Sequence, residues 1–169
     1  MSAVAAPVTK LPFKQAVEAR DLDALVRAFA PDAVIRGPNS DAFLVQGHDQ
    51  IRQLYRANFE AFANVRFTEE LRSASGDSAM VMGHMTIDGT EVEIADHMRL
   101  DEQGRIRELT VFFRPMPGLA VASRALGAAL GRQRSPLLGR LMSILATPLV
   151  AQSRSSDRFA ARLVPRLLR

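Results

Sequence analysis

Apolar side chains recur every three or four residues over residues 12–29. Phe13, Ala16, Val17, Leu22, Leu25, Val26 and Phe29 fall near one helical face. Asp21 interrupts the run as an N-cap candidate, so the pattern predicts two short helices with a break near Arg20–Asp21. Pro31 and Asp32 stop the second helix. Ala33-Val34-Ile35 reads as a short strand ending at Gly37-Pro38, and residues 38–47 read as a loop. Asp49 is placed to cap a helix whose apolar face is Ile51, Leu54, Tyr55, Phe59 and Phe62.

From Val65 to Arg114 the period changes to two. Val65, Phe67 and Leu71 share one face, and Glu69 has the same parity. Ala79, Val81, Gly83, Met85 and Ile87 form the apolar face of a second strand. Asp88-Gly89 predicts a two-residue hairpin turn, because both residue types tolerate positive φ. That turn fixes the register: Val81 faces Asp96, Gly83 faces Ile94 and Met85 faces Val92. Asp101 to Gly104 turns again, and Leu109, Val111 and Phe113 line the last strand. Helices followed by antiparallel strands with one apolar face define an α+β domain, with the helices covering that face.

After Pro115 and Pro117 the composition shifts to Ala, Leu, Arg and Gly. Three helices are expected there, over 119–130, 136–150 and 156–168, the last weakened by Pro165. The chain thus divides into a body, 1–116, and a basic amphipathic helical extension, 117–169. The body holds 13 Lys/Arg against 17 Asp/Glu, a balance of −4, while the extension holds nine arginines against Asp157, a balance of +8. The formal charge of +4 therefore belongs to the extension. A uniformly basic nucleic-acid-binding domain does not fit, and Phe159, the extension's single aromatic, makes no stacking platform. The expectation is no nucleic-acid partner. The extension is expected to pack on the body or on a second subunit up to Val150. A looser end after that leaves peripheral membrane contact open.

With 169 residues, 47% apolar and 24% charged, the chain is ordinary for a globular protein. It has no cysteine, which excludes disulfides, thiolate metal sites and a cysteine nucleophile. Three scattered histidines argue against a histidine zinc site, and no glycine-rich phosphate loop occurs. No cofactor and no metal are expected. The start has no basic n-region before an apolar run, and Leu137 to Ala151 is shorter than a spanning helix and broken by Arg140 and Pro148. A cytoplasmic protein is expected.

Asp96 breaks the pattern, because the register sets it on the apolar face among Val81, Ile94 and Met98. Burial there raises a carboxyl pKa and favours the neutral acid, which can donate a hydrogen bond to a carbonyl or developing oxyanion. The alternative is a structural aspartate satisfied by a hydroxyl or backbone amide. Tyr55, the only tyrosine, lies on the apolar face of its helix, and Asp96 is a candidate partner for its hydroxyl. His84 and His97 fall on the opposite sheet face with Met80, Met82 and Ala95. That face is too apolar for full solvation and is expected to be covered.

The segments RDLDALVRAFAPDAVIRGP, DQIRQLYRANF and IADHMRLDEQGRIRELTVFF resemble the nuclear transport factor 2-like superfamily, in its ketosteroid isomerase and SnoaL-like polyketide cyclase branch. The resemblance runs from about Phe13 to Arg114. It implies a cone: a curved antiparallel sheet wrapped around the N-terminal helices, enclosing an apolar pocket. It also implies a homodimer through the outer sheet face. Ketosteroid isomerases combine an aspartate base with an oxyanion hole of tyrosine and protonated aspartate. By this resemblance Asp96 falls at the oxyanion-hole aspartate and Tyr55 at a supporting tyrosine. Phe13 stands where the oxyanion tyrosine would be, and Gly37 where the base would be. Ordinary ketosteroid isomerisation then needs a substitute base, for which Glu69, Asp41 and His48 are the candidates.

Two functions are expected to compete. One is an isomerase, cyclase or hydrolase acting on a small apolar molecule, with Asp96 as hydrogen-bond donor or general acid and Tyr55 as its orienter. Its pocket walls would be Phe13, Phe29, Phe59, Val81, Met85, Met98, Val111 and Phe113. The other is a non-enzymatic binding protein for a lipid-like or steroid-like ligand.

Overall fold

The computed structural model describes residues 11–40 and 44–167. Two short helices open it, α1 (Pro12–Ala19) and α2 (Leu22–Arg27). Arg20 takes a left-handed conformation at φ 56°, and the Asp21 carboxylate accepts from the Ala24 amide at 2.9 Å. The break and its cap are therefore where the sequence places them.

Strand β1 (Phe29–Arg36) follows, then β2 (Leu44–Gln46) and helix α3 (Gly47–Ala61). The first strand is longer than Ala33-Val34-Ile35, and the expected loop contains β2, which pairs antiparallel with β1. Gln46, not Asp49, occupies the N-cap of α3. Asp49 sits in the first turn, where its carboxylate favours the positive end of the helix dipole.

The remaining strands are β3 (Arg66–Arg72), β4 (Ser78–Ile87), β5 (Thr90–Leu100) and β6 (Ile106–Arg114). All six form one sheet in the order β2-β1-β6-β5-β4-β3. The sheet is mixed rather than antiparallel, because β1 runs parallel to β6. The two are separated by α3 and four strands, so no local turn signal announces their pairing. The Asp88-Gly89 hairpin has the expected register, with Val81 opposite Asp96 and Met85 opposite Val92.

In β3 a bulge between Phe67 and Glu69 reverses the parity read from the sequence. Phe67 faces the core, while Leu71 lies opposite Met80 and is 54% exposed. Gly83 makes the bulge possible. A Cβ there would lie 2.1 Å from the Arg66 carbonyl oxygen, so a side chain would push β3 off β4.

The core lies between the helices and the inner sheet face, where Leu25, Ile35, Ile51, Val81, Met98 and Leu109 are fully buried. The extension consists of two helices, α4 (Met116–Arg132) and α5 (Pro136–Leu167), rather than three. Pro148 and Pro165 lie inside α5 without ending it. Both are exposed, so the carbonyls they leave unpaired are open to water.

Helix α4 packs on the body. Gly118 rests on Val92, Arg124 pairs with Asp88, and Arg132 Nε donates to Glu60 at 2.5 Å. Helix α5 turns back against α4 at a glycine crossing. A Cβ on Gly131 would stand 2.8 Å from the Gly139 Cα. Val150 and Ser153 are buried, and Arg154 donates to the Thr90 hydroxyl at 3.0 Å. Beyond Arg154 every described side chain of α5 is exposed. No helix among the described residues is long and apolar enough to cross a membrane.

Candidate functional site

A cavity of about 260 Å³ lies between α1, α3 and the inner sheet face. Helix α3 brings Tyr55, Asn58 and Phe59 to it. The strands bring Met85, Ile94, Asp96, Val111 and Phe113, and α1 brings Phe13 and Val17. The helical extension completes the wall with Ala122, Ser123 and Leu126 of α4 and Met142 of α5. Asn39, just after β1, donates from Nδ2 to Ser123 Oγ at 2.8 Å, tying the strand end to α4 beside the cavity.

Eight wall residues were expected. Phe13, Phe59, Met85, Val111 and Phe113 line the cavity. Phe29, Val81 and Met98 do not. They have the inward orientation but belong to the packed core away from the cavity lining. Phe29 still shapes the site indirectly. Its ring centroid lies 5.9 Å from that of Phe13 and 6.1 Å from that of Tyr55. Tyr55 also meets Phe13 edge-on at 6.1 Å and Phe59 at 6.2 Å, so the phenol is held by aromatic contacts on three sides.

Asp96 is buried at 7% exposure and lines the cavity. Burial pushes its carboxyl from 3.8 up to about 7, which leaves a large neutral fraction near neutral pH. Burial also raises the Tyr55 phenol well above its ordinary value, and a charge on Asp96 raises it further. No hydrogen bond joins the two side chains, and among the described residues neither has another partner. The candidate Tyr55–Asp96 bond is therefore absent, and among the described residues so is the structural alternative in which a protein group satisfies Asp96.

Neither Glu69 nor His48 lines the cavity. The bulge turns Glu69 to the outer face opposite Met82, and His48 Nε2 is bonded to the Phe29 carbonyl at 3.0 Å. Asp41 lies outside the described residues. Gly37 does line the cavity, as the resemblance implies.

Several cavity residues carried no signal in the sequence. Asn58 presents a buried Oδ1 with no partner among the described residues. Arg20 stands over the Phe59 ring at 5.4 Å and donates to the Phe59 and Phe62 carbonyls. Glu18 accepts from the Phe67 amide at 3.1 Å. A polar residue on an amphipathic helix reads as solvated until the sheet's curvature folds over it. Among the described residues, no three His, Asp or Glu side chains gather as metal ligands would.

The family model described as a SnoaL-like domain matches residues 13–109. No curated protein matches the sequence. Among solved structures, a steroid delta-isomerase from Pseudomonas aeruginosa is similar at TM-score 0.64 and 27% identity, covering 79% of this chain and 98% of that one. A putative polyketide cyclase from Sinorhizobium meliloti is similar at TM-score 0.51 and 25% identity, covering 59% of this chain and 89% of that one. An epoxide hydrolase/cyclase-like enzyme of salinomycin pyran-ring formation shares the fold at TM-score 0.50 and 23% identity, covering 60% and 84%.

Proposed function

The chain belongs to the SnoaL-like family of the nuclear transport factor 2-like superfamily, and on that premise we propose that it is an isomerase or cyclase acting on a small apolar molecule with one reactive oxygen. One observation carries the reading: a buried carboxyl, unpartnered among the described residues, in a cavity walled mostly by aromatic and aliphatic groups, with Glu18, Arg20, Asn39, Asn58 and Ser123 as its other polar members besides Tyr55. Neutral Asp96 donates its proton in a hydrogen bond to a carbonyl or epoxide oxygen. As negative charge develops on that oxygen the bond strengthens, which is how such a donor accelerates the step. Tyr55 sets the shape around it through its ring contacts and offers its hydroxyl to the same substrate. Hydrolysis of an epoxide fits the same donor.

A second reading rests on Gly37 and Phe13. The resemblance puts a base and an oxyanion tyrosine at these positions, and neither residue can supply them. The same cavity then serves a binding protein, with Asp96 holding the one polar group of a lipid-like or steroid-like ligand. In either case the protein is cytoplasmic and pairs with a second copy through the outer sheet face, where Met80, Met82, Ala95 and Phe112 lie together.

Turnover of a panel of ketosteroids and epoxides by the wild type and Asp96→Asn separates the readings. A wild-type rate that falls at least tenfold in the variant supports catalysis. Equal rates remove Asp96 from the chemistry. Saturable binding of the same compounds without turnover favours the binding protein.

A further inference from the structure

Most of the exposed large hydrophobic side chains among the described residues stand on one helix, α5. The buried side of α5 is set by Gly139, Val150 and Ser153. On the opposite side Leu141, Leu145 and Leu149 follow one another at four-residue spacing, and Phe159, Leu163 and Leu167 continue the same stripe. Their exposures run from 36% at Leu163 to 73% at Leu167. No described part of the body covers this face.

The charges on α5 are as one-sided as its apolar groups. Arg140, Arg158, Arg162 and Arg166 are exposed along one flank of the stripe, without an ion-pair partner among the described residues. Asp157 is the single acid of the helix. A second copy of α5 could bury the leucines but brings only that one carboxylate to meet the arginines. A nucleic acid could meet the arginines but would leave the leucines in water. A surface with anionic groups above hydrocarbon satisfies both at once, which is the pattern of a helix lying in a membrane interface.

We propose that the outer face of α5 docks this protein on anionic lipid bilayers, parallel to the surface. The leucine stripe enters the boundary of the acyl chains, and the arginine flank meets lipid phosphates. The helix lies on the bilayer rather than across it, since none of the described helices is apolar and long enough to span. The proposal is independent of whether the cavity is catalytic.

The test is co-sedimentation of the full chain at low salt with vesicles of phosphatidylcholine alone and of phosphatidylcholine mixed with phosphatidylglycerol. Binding to the mixed vesicles only, weakened by salt, is expected. Each arginine near an anionic surface is worth about fivefold in partitioning, so R158Q/R162Q should bind about 25-fold more weakly. L145D/L163D should abolish binding. Both pairs are solvent-facing, so both variants should keep the wild-type melting temperature, which checks that they are folded. The proposal is overturned by equal binding to both vesicle types, or by none to either. It is also overturned if L145D/L163D changes the oligomeric state while vesicle binding is absent, which would assign the stripe to a second copy.

Discussion

Asp96 on β5 and Tyr55 on α3 line one cavity, near enough that a charge on the carboxyl raises the phenol, yet no hydrogen bond joins them. Both polar tips are thereby left for a ligand. A directly bonded pair would instead have spent one of the two O–H groups on the other side chain, leaving a single donor for the ligand.

Asp96 should make stability depend on pH. Its carboxyl titrates near 7 when folded against 3.8 when unfolded. Below about pH 4 both states are protonated and the group is neutral in its effect. Between about 4 and 7 the unfolded state ionises while the folded state stays neutral, so stability falls as pH rises, and the loss is complete above the folded pKa. Asp96→Asn lacks this loss. Urea unfolding at pH 4 and pH 8 should show the variant gaining on the wild type by at most roughly 4 kcal/mol. A constant difference across that range would place the carboxyl in water.

Tyr55 contributes through its ring. Tyr55→Phe keeps the contacts with Phe13, Phe29 and Phe59 and strands no protein partner, so its unfolding free energy should stay within about 1 kcal/mol of wild type. Tyr55→Ala should cost about 3–5 kcal/mol. A large loss for the phenylalanine variant in chemical denaturation would reveal a partner for the hydroxyl.

The extension is held by close backbone approach. Gly131→Ala places a methyl group 2.8 Å from the Gly139 Cα and should force α5 off α4, costing about 1–3 kcal/mol. Limited proteolysis should then cut within α5 in the variant before the body is attacked. Unchanged cleavage and melting would mean that the crossing has slack.

Ketosteroid isomerase chemistry should be recoverable. Phe13 and Gly37 both line the cavity, at the positions where the resemblance puts a tyrosine and a base. Phe13→Tyr with Gly37→Asp should raise isomerisation of a β,γ-unsaturated ketosteroid by about 10²–10⁴-fold over wild type, the range ascribed to a placed general base. No gain in a folded double variant, followed by ultraviolet absorbance of the conjugated product, would mean that this cavity does not hold a steroid in the reactive pose.

The parts of the fold that depend on neighbours in sequence were legible. Asp88-Gly89 set the register of β4 on β5, and with it the inward position of Asp96. Asp21 set the break between α1 and α2. What depends on distant contacts was not. The parallel pairing of β1 with β6 joins residues more than seventy positions apart, as at Val34 and Glu108. The bulge at Phe67 and Glu69 follows from the approach of β3 to Gly83, which periodicity does not encode. Alternation gives a face but not a position on it. For that reason Val81 and Met98 read the same as Met85, although only Met85 reaches the cavity. The sequence reading puts a break between residues 150 and 156, yet α5 runs through it, with Pro148 and Pro165 on its solvent side.

The bulge in β3 also limits how copies of this chain can meet. Among the described residues, β3 and β2 are the two free margins of the sheet. The first is kinked between Phe67 and Glu69 and carries Arg66, Glu69, Glu70 and Arg72; the second is three residues long. A kinked, charged margin and a stub are poor templates for another strand. Growth of fibres by strand-on-strand addition is thus discouraged at both ends of the sheet, even when the protein is concentrated. Association is left to broad faces and helices, where side chains rather than backbone amides decide which partner fits.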